Sequence, residues 1–450
     1  MSNQTHPASY GEKVFTVEPF STEHIPLAER HGTPFQLFPL WLGANLTIAD
    51  YALGFLPVAL GLPWWLTILA ILVGNLAGGL VLGLAAAMGP GAGYPQLVLG
   101  RRAFGRLGGY LPAALNWVST VGWFTVNNIL GAFGLQILFP GISFAAAALI
   151  LVIVQVLLAV YGHNMIHIYE RIMSVVLGVL FLVATIVTLA QGQRLAAFVP
   201  HTTGLLPLFA VVLAGAFSYI ASWAPYASDY SRYMPPSTKV WSSIGWTWLG
   251  SALASAWLEL LGAAVAILAG VQSKDPIAAL RAVMGWFGLP AVIAVILGGT
   301  AADALNLYSN SLSARALDVR LPRWLLALVA GAVGLAGSLY GSGRFGHFYE
   351  DFLLLLGYWV TPWLGVLCVD FFLTGKSGED MNRQPRTING RGLGAYLAGI
   401  LISVPFMSSP FFTGPIASKI GGADFSFYIG FVVAGLLYLL LSKAGRDSKA

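Results

Sequence analysis

Apolar runs of about 20 residues or more, separated by short segments bearing Gly, Pro or charge, fill this chain from residue 35 onward. Each run is long enough to cross a hydrocarbon core about 30 Å thick, where only helices and closed barrels satisfy every backbone group. Composition agrees: 57% of the 450 residues are hydrophobic and 9% charged, against roughly 25% charged in a soluble protein. An ordinary soluble domain is thereby excluded. The single cysteine, Cys368, lies inside an apolar run, so no disulfide framework, paired-thiol centre or cysteine metal cluster is expected.

The apolar stretches and their flanks predict helices near 35–60, 63–88, 109–138, 141–161, 165–190, 204–228, 241–271, 287–312, 322–341, 347–374, 392–412 and 425–442. Residues 1–34 are polar with no apolar signal-peptide core, so the first span is expected to act as its own insertion signal. With the N-terminus inside, 18 of the 23 Lys and Arg fall in cytoplasmic segments. Arg194, Lys274, Arg281, Arg344 and Lys419 fall outside. This bias predicts both termini cytoplasmic, in an inner (plasma) membrane protein. The net charge of +5 then reads as topogenic and implies no nucleic-acid partner.

Helix 1 is interrupted by Gly43, Ala44, Asn45, Thr47 and Asp50, and helix 6, five spans later, by Ser218, Ser222, Trp223 and Pro225. A five-helix unit repeated once must be inverted, because five is odd. Broken first helices in two inverted units point to a transporter site at mid-membrane. Gly43, Ala44, Asn45 and Ser222 are therefore substrate-site candidates. Trp123 and Asn127 share one face of helix 3, Asp303 and Asn306 one face of helix 8, and Trp223 sits in the helix 6 break. Indole faces suit a flat heteroaromatic solute, and a carboxamide pairs with adjacent donor and acceptor atoms on its edge. By contrast, Trp64, Trp65, Trp241 and Trp246 read as interfacial anchors.

Trp-Leu-Gly-Ala-Asn-Leu (41–46), Val-Gly-Asn-Leu (73–76), Gly-Arg-Leu-Gly-Gly (105–109), Gly-Trp-Phe-Thr-Val-Asn (122–127), Trp-Ala-Pro-Tyr-Ala-Ser-Asp-Tyr-Ser-Arg-Tyr (223–233) and Asn-Leu-Tyr-Ser (306–309) carry a resemblance. Over about residues 35–375 the chain resembles the nucleobase-cation symporters, particularly their purine-cytosine permease branch. The resemblance implies that Trp123 and Trp223 stack on the base, that Asn127 and Asn306 pair with its edge, and that backbone near Gly43 and Ala44 borders the pocket. It also implies an all-α membrane fold: two inverted five-helix repeats (35–200 and 201–375) and two additional helices (376–443), between polar tails 1–34 and 444–450. Both tails read as topogenic or disordered. Alternating access is the implied mechanism.

One departure bears on coupling. Sodium-coupled members carry hydroxyl residues about one turn before the helix 8 Asn, where this chain has Ala301 and Ala302. A hard cation needs several oxygen ligands, so proton symport is expected instead. Asp303 is the leading carrier, with Glu259 and Asp50 as further candidates. Asp229 and Arg232, at the end of helix 6, read as a gate or a helix-terminus interaction. No cofactor or metal is expected, and the partners are a small nucleobase, protons and the bilayer. Alternatives are sodium-coupled transport of another heterocycle (a hydantoin, allantoin or a vitamin-like ring) and amino-acid transport on the same architecture. Enzyme chemistry is disfavoured, since neither a His-Glu-x-x-His nor a Gly-x-Ser-x-Gly pattern occurs. His163 and His167, beside Glu170 and Arg171, read as a solvated helix end.

Overall fold

The computed structural model describes residues 10–196, 198–200, 204–270, 275–374, 387–409 and 412–447. The charges expected at Lys274 and in most of 375–391, and the tail ends 1–9 and 448–450, lie outside the described residues.

Apolar sequence converts to helix along nearly all of the described chain. The helices are α1 (Pro34–Asn45 with Ile48–Ala59), α2 (Trp64–Ala92), α3 (Tyr110–Leu138), α4 (Phe144–Tyr161), α5 (His163–Leu189) and α6 (Leu205–Ser231). They continue with α7 (Val240–Ala269), α8 (Gly288–Ala316), α9 (Arg323–Gly341), α10 (Phe345–Cys368), α11 (Gly390–Phe406) and α12 (Ser426–Asp447). Among the described residues ten helices are long and apolar enough to cross a membrane; the bent halves of α1 add an eleventh, and α11 is a shorter apolar helix. The expected helix over 392–412 is regular only to Ser403, because Pro405 cannot continue the hydrogen-bond ladder and the chain turns back at the Ser408–Thr413 bridge. At the other end, α12 runs to Asp447, past the predicted end of the span at 442. A short helix, Pro276–Met284, occupies the predicted loop before α8; the Asp275 side chain accepts from the Ile277 and Ala278 amides, and Pro276 fills its first turn.

The two predicted breaks are real. In α1 the halves bend by 56°, Leu46 and Thr47 leave helical geometry, and the Thr47 hydroxyl accepts the Asp50 amide to start the second half. In α6 regular helix ends at Ala221, and Pro225 opens a 3-10 turn over Ala224–Tyr226 before helix resumes at Ala227–Ser231.

Helices five apart in sequence lie side by side: α2 with α7, α3 with α8, α4 with α9, and the second half of α1 with α6. That is the packing of two interleaved repeats. One group joins α1, α2, α6 and α7; α3, α4, α8 and α9 form another, and α5 bears on both α1 and α8. Gly54 and Gly262 set the closest crossing in the first group. A β-carbon on Gly54 would lie 2.0 Å from the Glu259 carbonyl oxygen, and one on Gly262 2.0 Å from that of Tyr51.

The N-terminal tail, expected to be disordered, is packed from Tyr10 onward. Tyr10, Glu18 and Ile25 are buried, the Ile25 amide donates to Gly93 O at 3.0 Å, and the Arg30 guanidinium donates to Pro90 O and Met234 O. The sequence around them is polar and irregular, and what orders it is the cytoplasm-assigned end of the helix bundle. The loop arginines read as topogenic also have partners: Arg101 and Arg106 meet Asp318, and Arg102 meets Asp370.

Candidate functional site

The helix 3 and helix 8 residues converge because α3 and α8 pack along their lengths. Asp303 Oδ1 accepts from Asn127 Nδ2 at 3.1 Å and from Asn306 Nδ2 at 3.2 Å. Asn306 Oδ1 in turn accepts from the Tyr226 hydroxyl at 3.1 Å, which joins the α6 break to the set. Both carboxamides are thus oriented by one carboxylate, with each Nδ2 turned toward it. Asn127 Oδ1 faces away without a protein partner, so an acceptor and an adjacent amide hydrogen remain on its edge. Asp303 Oδ2 and Trp123 Nε1 are likewise buried without a protein partner. Unpaired buried groups of this kind cost about 1 to 3 kcal/mol each, and concentrated in one place they mark a site.

Two indoles on the same helices are buried: Trp123 is 4% exposed and Trp223 3%. Trp123 packs at steep interplanar angles against Tyr219 (centroids 5.0 Å apart, 78°) and Phe352 (5.2 Å, 77°). Trp223 packs against Trp41 of α1 (5.7 Å, 72°) and Tyr226 (5.3 Å, 61°). These contacts hold each ring plane in place. The outlying tryptophans behave differently, with Trp65 and Trp241 exposed as interfacial anchors are.

The remaining candidates fall in several environments. Gly43, Ala44 and Asn45 are buried at the end of the first half of α1. Asn45 Nδ2 donates back to Trp41 O at 2.8 Å, and the Ser222 hydroxyl donates to Tyr219 O at 2.6 Å, so both are engaged within their own helices. Asp50 and Glu259 lie beside one another between α1 and α7. Asp50 Oδ2 accepts from Ser255 Oγ at 2.7 Å and Glu259 Oε2 from Asn75 Nδ2 at 3.0 Å, while Asp50 Oδ1 and Glu259 Oε1 have no donor. Asp229 Oδ1 accepts the Gln96 amide at 3.0 Å. Arg232 makes its ion pair with Glu18 of the tail, at 2.7 Å, not with Asp229.

One expectation is corrected: His163, His167 and Glu170 are buried, not a solvated helix end. Exposed Arg171 suggested solvent for its neighbours, but adjacent residues on a helix point about 100° apart. Sequence reading also missed Tyr219, Tyr226, Phe352 and Trp41 as supports of the two indoles. Tyr226 had a signal, since it stands within the Trp223–Tyr233 run. Phe352 had none, because its role arises from the way α10 crosses α3.

Comparison with known proteins places the chain in a family and a fold. A family model described as permeases for cytosine/purines, uracil, thiamine and allantoin matches residues 24–433. The YxlA protein of Bacillus subtilis (strain 168) is 30% identical over 96% of this chain and 98% of its own. The purine-cytosine permease fcyB of Emericella nidulans is 28% identical over 94% of this chain and 88% of its own. Among solved structures, Mhp1, a nucleobase-cation-symport-1 family transporter in a closed conformation with bromovinylhydantoin bound, superposes with a TM-score of 0.78. It is 20% identical, with 96% of each chain covered, and this likeness concerns the fold.

Proposed function

The chain belongs to the nucleobase-cation symporter family, purine-cytosine permease branch, and on that premise we propose that it imports cytosine or a purine by proton symport with alternating access. It is a multi-pass membrane transporter and not an enzyme. The observation that carries the substrate reading is the carboxamide pair oriented by Asp303, with buried Trp123 one turn from Asn127 and buried Trp223 packed on Tyr226, which donates to Asn306. Asn127 offers a donor and an acceptor side by side, which matches the amino-and-ring-nitrogen edge of adenine or cytosine. Trp123 and Trp223 supply stacking faces worth about 1 to 3 kcal/mol per contact. An amino-acid substrate would instead call for a carboxylate-binding helix end and has no use for both indoles.

The proton reading rests on the α8 side chains. Ala301 and Ala302 are buried and bring no oxygen to the turn before Asn306, which leaves a sodium ion short of ligands. Asp303, Asp50 and Glu259 are the carriers proposed, with the protein in the inner (plasma) membrane and both termini cytoplasmic. Residues 35–200 and 201–375 are proposed as the two inverted repeats, with 376–443 as two additional helices, and movement of bundle and scaffold elements past one another gives access to each side. One charge per base supplies about 2.3 kcal/mol per 100 mV, or roughly 50-fold accumulation.

Uptake of labelled cytosine and adenine into liposomes containing the purified protein tests both parts. Accumulation under a proton gradient is expected. Accumulation under a sodium gradient alone would overturn the coupling reading, and no uptake of either base would overturn the substrate reading.

A further inference from the structure

Glu170 lies in the third turn of α5, 0% exposed, and neither of its carboxylate oxygens has a hydrogen-bond partner. It faces the first half of α1. A β-carbon on Gly43 would begin 2.4 Å from Glu170 Oε2 and 2.8 Å from the Glu170 carbonyl oxygen, so the absent side chain at Gly43 is what admits the carboxyl, two residues before Asn45 ends that half-helix. Among the described residues no Lys, Arg or His side chain reaches either oxygen within hydrogen-bonding distance. Ionised, Glu170 would be a buried charge without a donor to offset its desolvation. Protonation of the carboxyl removes that cost.

A route for that proton follows the same face of α5. His167 and His163 stand three and seven residues before Glu170, hence on one side of the helix. Their rings lie 4.4 Å apart between centroids, and both Nε2 atoms face the Tyr230 carbonyl, at 3.0 Å for His167 and 3.2 Å for His163. His163 Nδ1 faces Asn164 Oδ1 at 3.1 Å, and that oxygen is 3.2 Å from His31 Nε2 in the tail. The imidazoles start one turn of helix before Glu170 and lead, through Asn164, to His31 in the tail.

Resting on the symport reading above, we propose that Glu170 is a proton site of the transport cycle, loaded while the first half of α1 is packed on α5 and unloaded through His167 and His163 when that seam opens. The binding step is reversible protonation of one carboxylate oxygen, the proton passing to and from imidazole nitrogen with no other bond changed. Glu170 makes no hydrogen bond to Asn127, Asp303 or Asn306, so the Glu170→Gln change, nearly isosteric, is expected to leave base exchange in place.

Two measurements on the full-length protein in liposomes test it. Infrared difference spectra of wild type minus Glu170→Gln at neutral pH are expected to contain the C=O band of a protonated carboxyl. A difference spectrum with only carboxylate bands, or one that changes on adding sodium, would overturn the proton assignment. In transport, wild type is expected to accumulate labelled cytosine under a proton gradient, and Glu170→Gln to fall to about onefold while still exchanging labelled for unlabelled base. Full accumulation by the variant would overturn the proposal. Wild type that accumulates no base would instead overturn the symport reading, and the infrared result would still decide whether Glu170 holds a proton.

Discussion

Glu18 and Arg232 meet at 2.7 Å with neither side chain exposed, although one belongs to the N-terminal tail and the other follows the broken α6. Arg323 of α9 reaches the other carboxylate oxygen at 2.6 Å, and the Tyr233 and Tyr308 hydroxyls donate to the first. One tail carboxylate thus ties the end of α6 to α8 and α9. Removing one partner of a buried pair strands the other charge, at about 3 to 5 kcal/mol. Glu18→Gln is expected to release the tail, read as faster proteolytic cleavage near Lys13 and a lower Tm.

The same pair has a defined pH dependence. Burial alone pushes the Glu18 carboxyl up, but Arg323 and Arg232 outweigh it and hold the group at about 2, below its ordinary 4.5. A lowered native value means that the stabilisation is complete above about 4.5 and is lost as pH falls toward 2. Protection of the tail from proteolysis or hydrogen exchange is expected to be flat from pH 5 to 8 and to decline only under acid.

Asp303 is the common acceptor of two carboxamides, so its replacement disturbs both. Each of these hydrogen bonds is worth about 0.5 to 1.5 kcal/mol to a neutral carboxyl and about 1.5 to 3 kcal/mol to an ionised one. Asp303→Asn is expected to weaken base binding about tenfold, and Asn127→Ala and Asn306→Ala by a similar or larger factor, measured as Kd on purified protein. Gradient-driven accumulation by Asp303→Asn separates two roles. If it stays complete, Asp303 orients the amides and does not carry the proton.

Stacking makes a different prediction. Trp123→Ala and Trp223→Ala are each expected to cost about 1 to 3 kcal/mol of base affinity, with phenylalanine at either position restoring part of it. Equal affinity of the alanine variants for cytosine would remove the indoles from the site.

Gly262 faces the Tyr51 carbonyl oxygen too closely for any side chain, and Gly54 faces that of Glu259 in the same way. Neither obstacle is a flexible group. Gly262→Ala is expected to lower stability by about 1 to 3 kcal/mol through forced separation of α1 and α7, seen as a reduced Tm. An unchanged Tm would mean that the crossing is looser than the packing described.

Several features were legible in the sequence because they depend on local chemistry. Apolar runs of spanning length specify helices wherever lipid offers no hydrogen bonds. The small and polar residues at 43–50 and the Trp223–Pro225 run mark the breaks, since Pro lacks an amide and Thr47 caps a new start. Asn127, Asp303 and Asn306 stand out because polar groups deep in spans are costly. Glu170 reads as solvated for the opposite reason: it sits near a helix start beside a charged neighbour.

By itself, then, the sequence determined which segments enter the membrane, where two of them break, and which polar and aromatic side chains must find a use there, because spacing and residue type act through the nearest turn of helix. Tertiary structure alone decided which of those side chains meet. That Asp303 orients two amides, that Glu18 closes over Arg232, and that Glu170 lies bare against Gly43 are consequences of helices far apart in the chain crossing at particular heights. A single helix carries no information about that height.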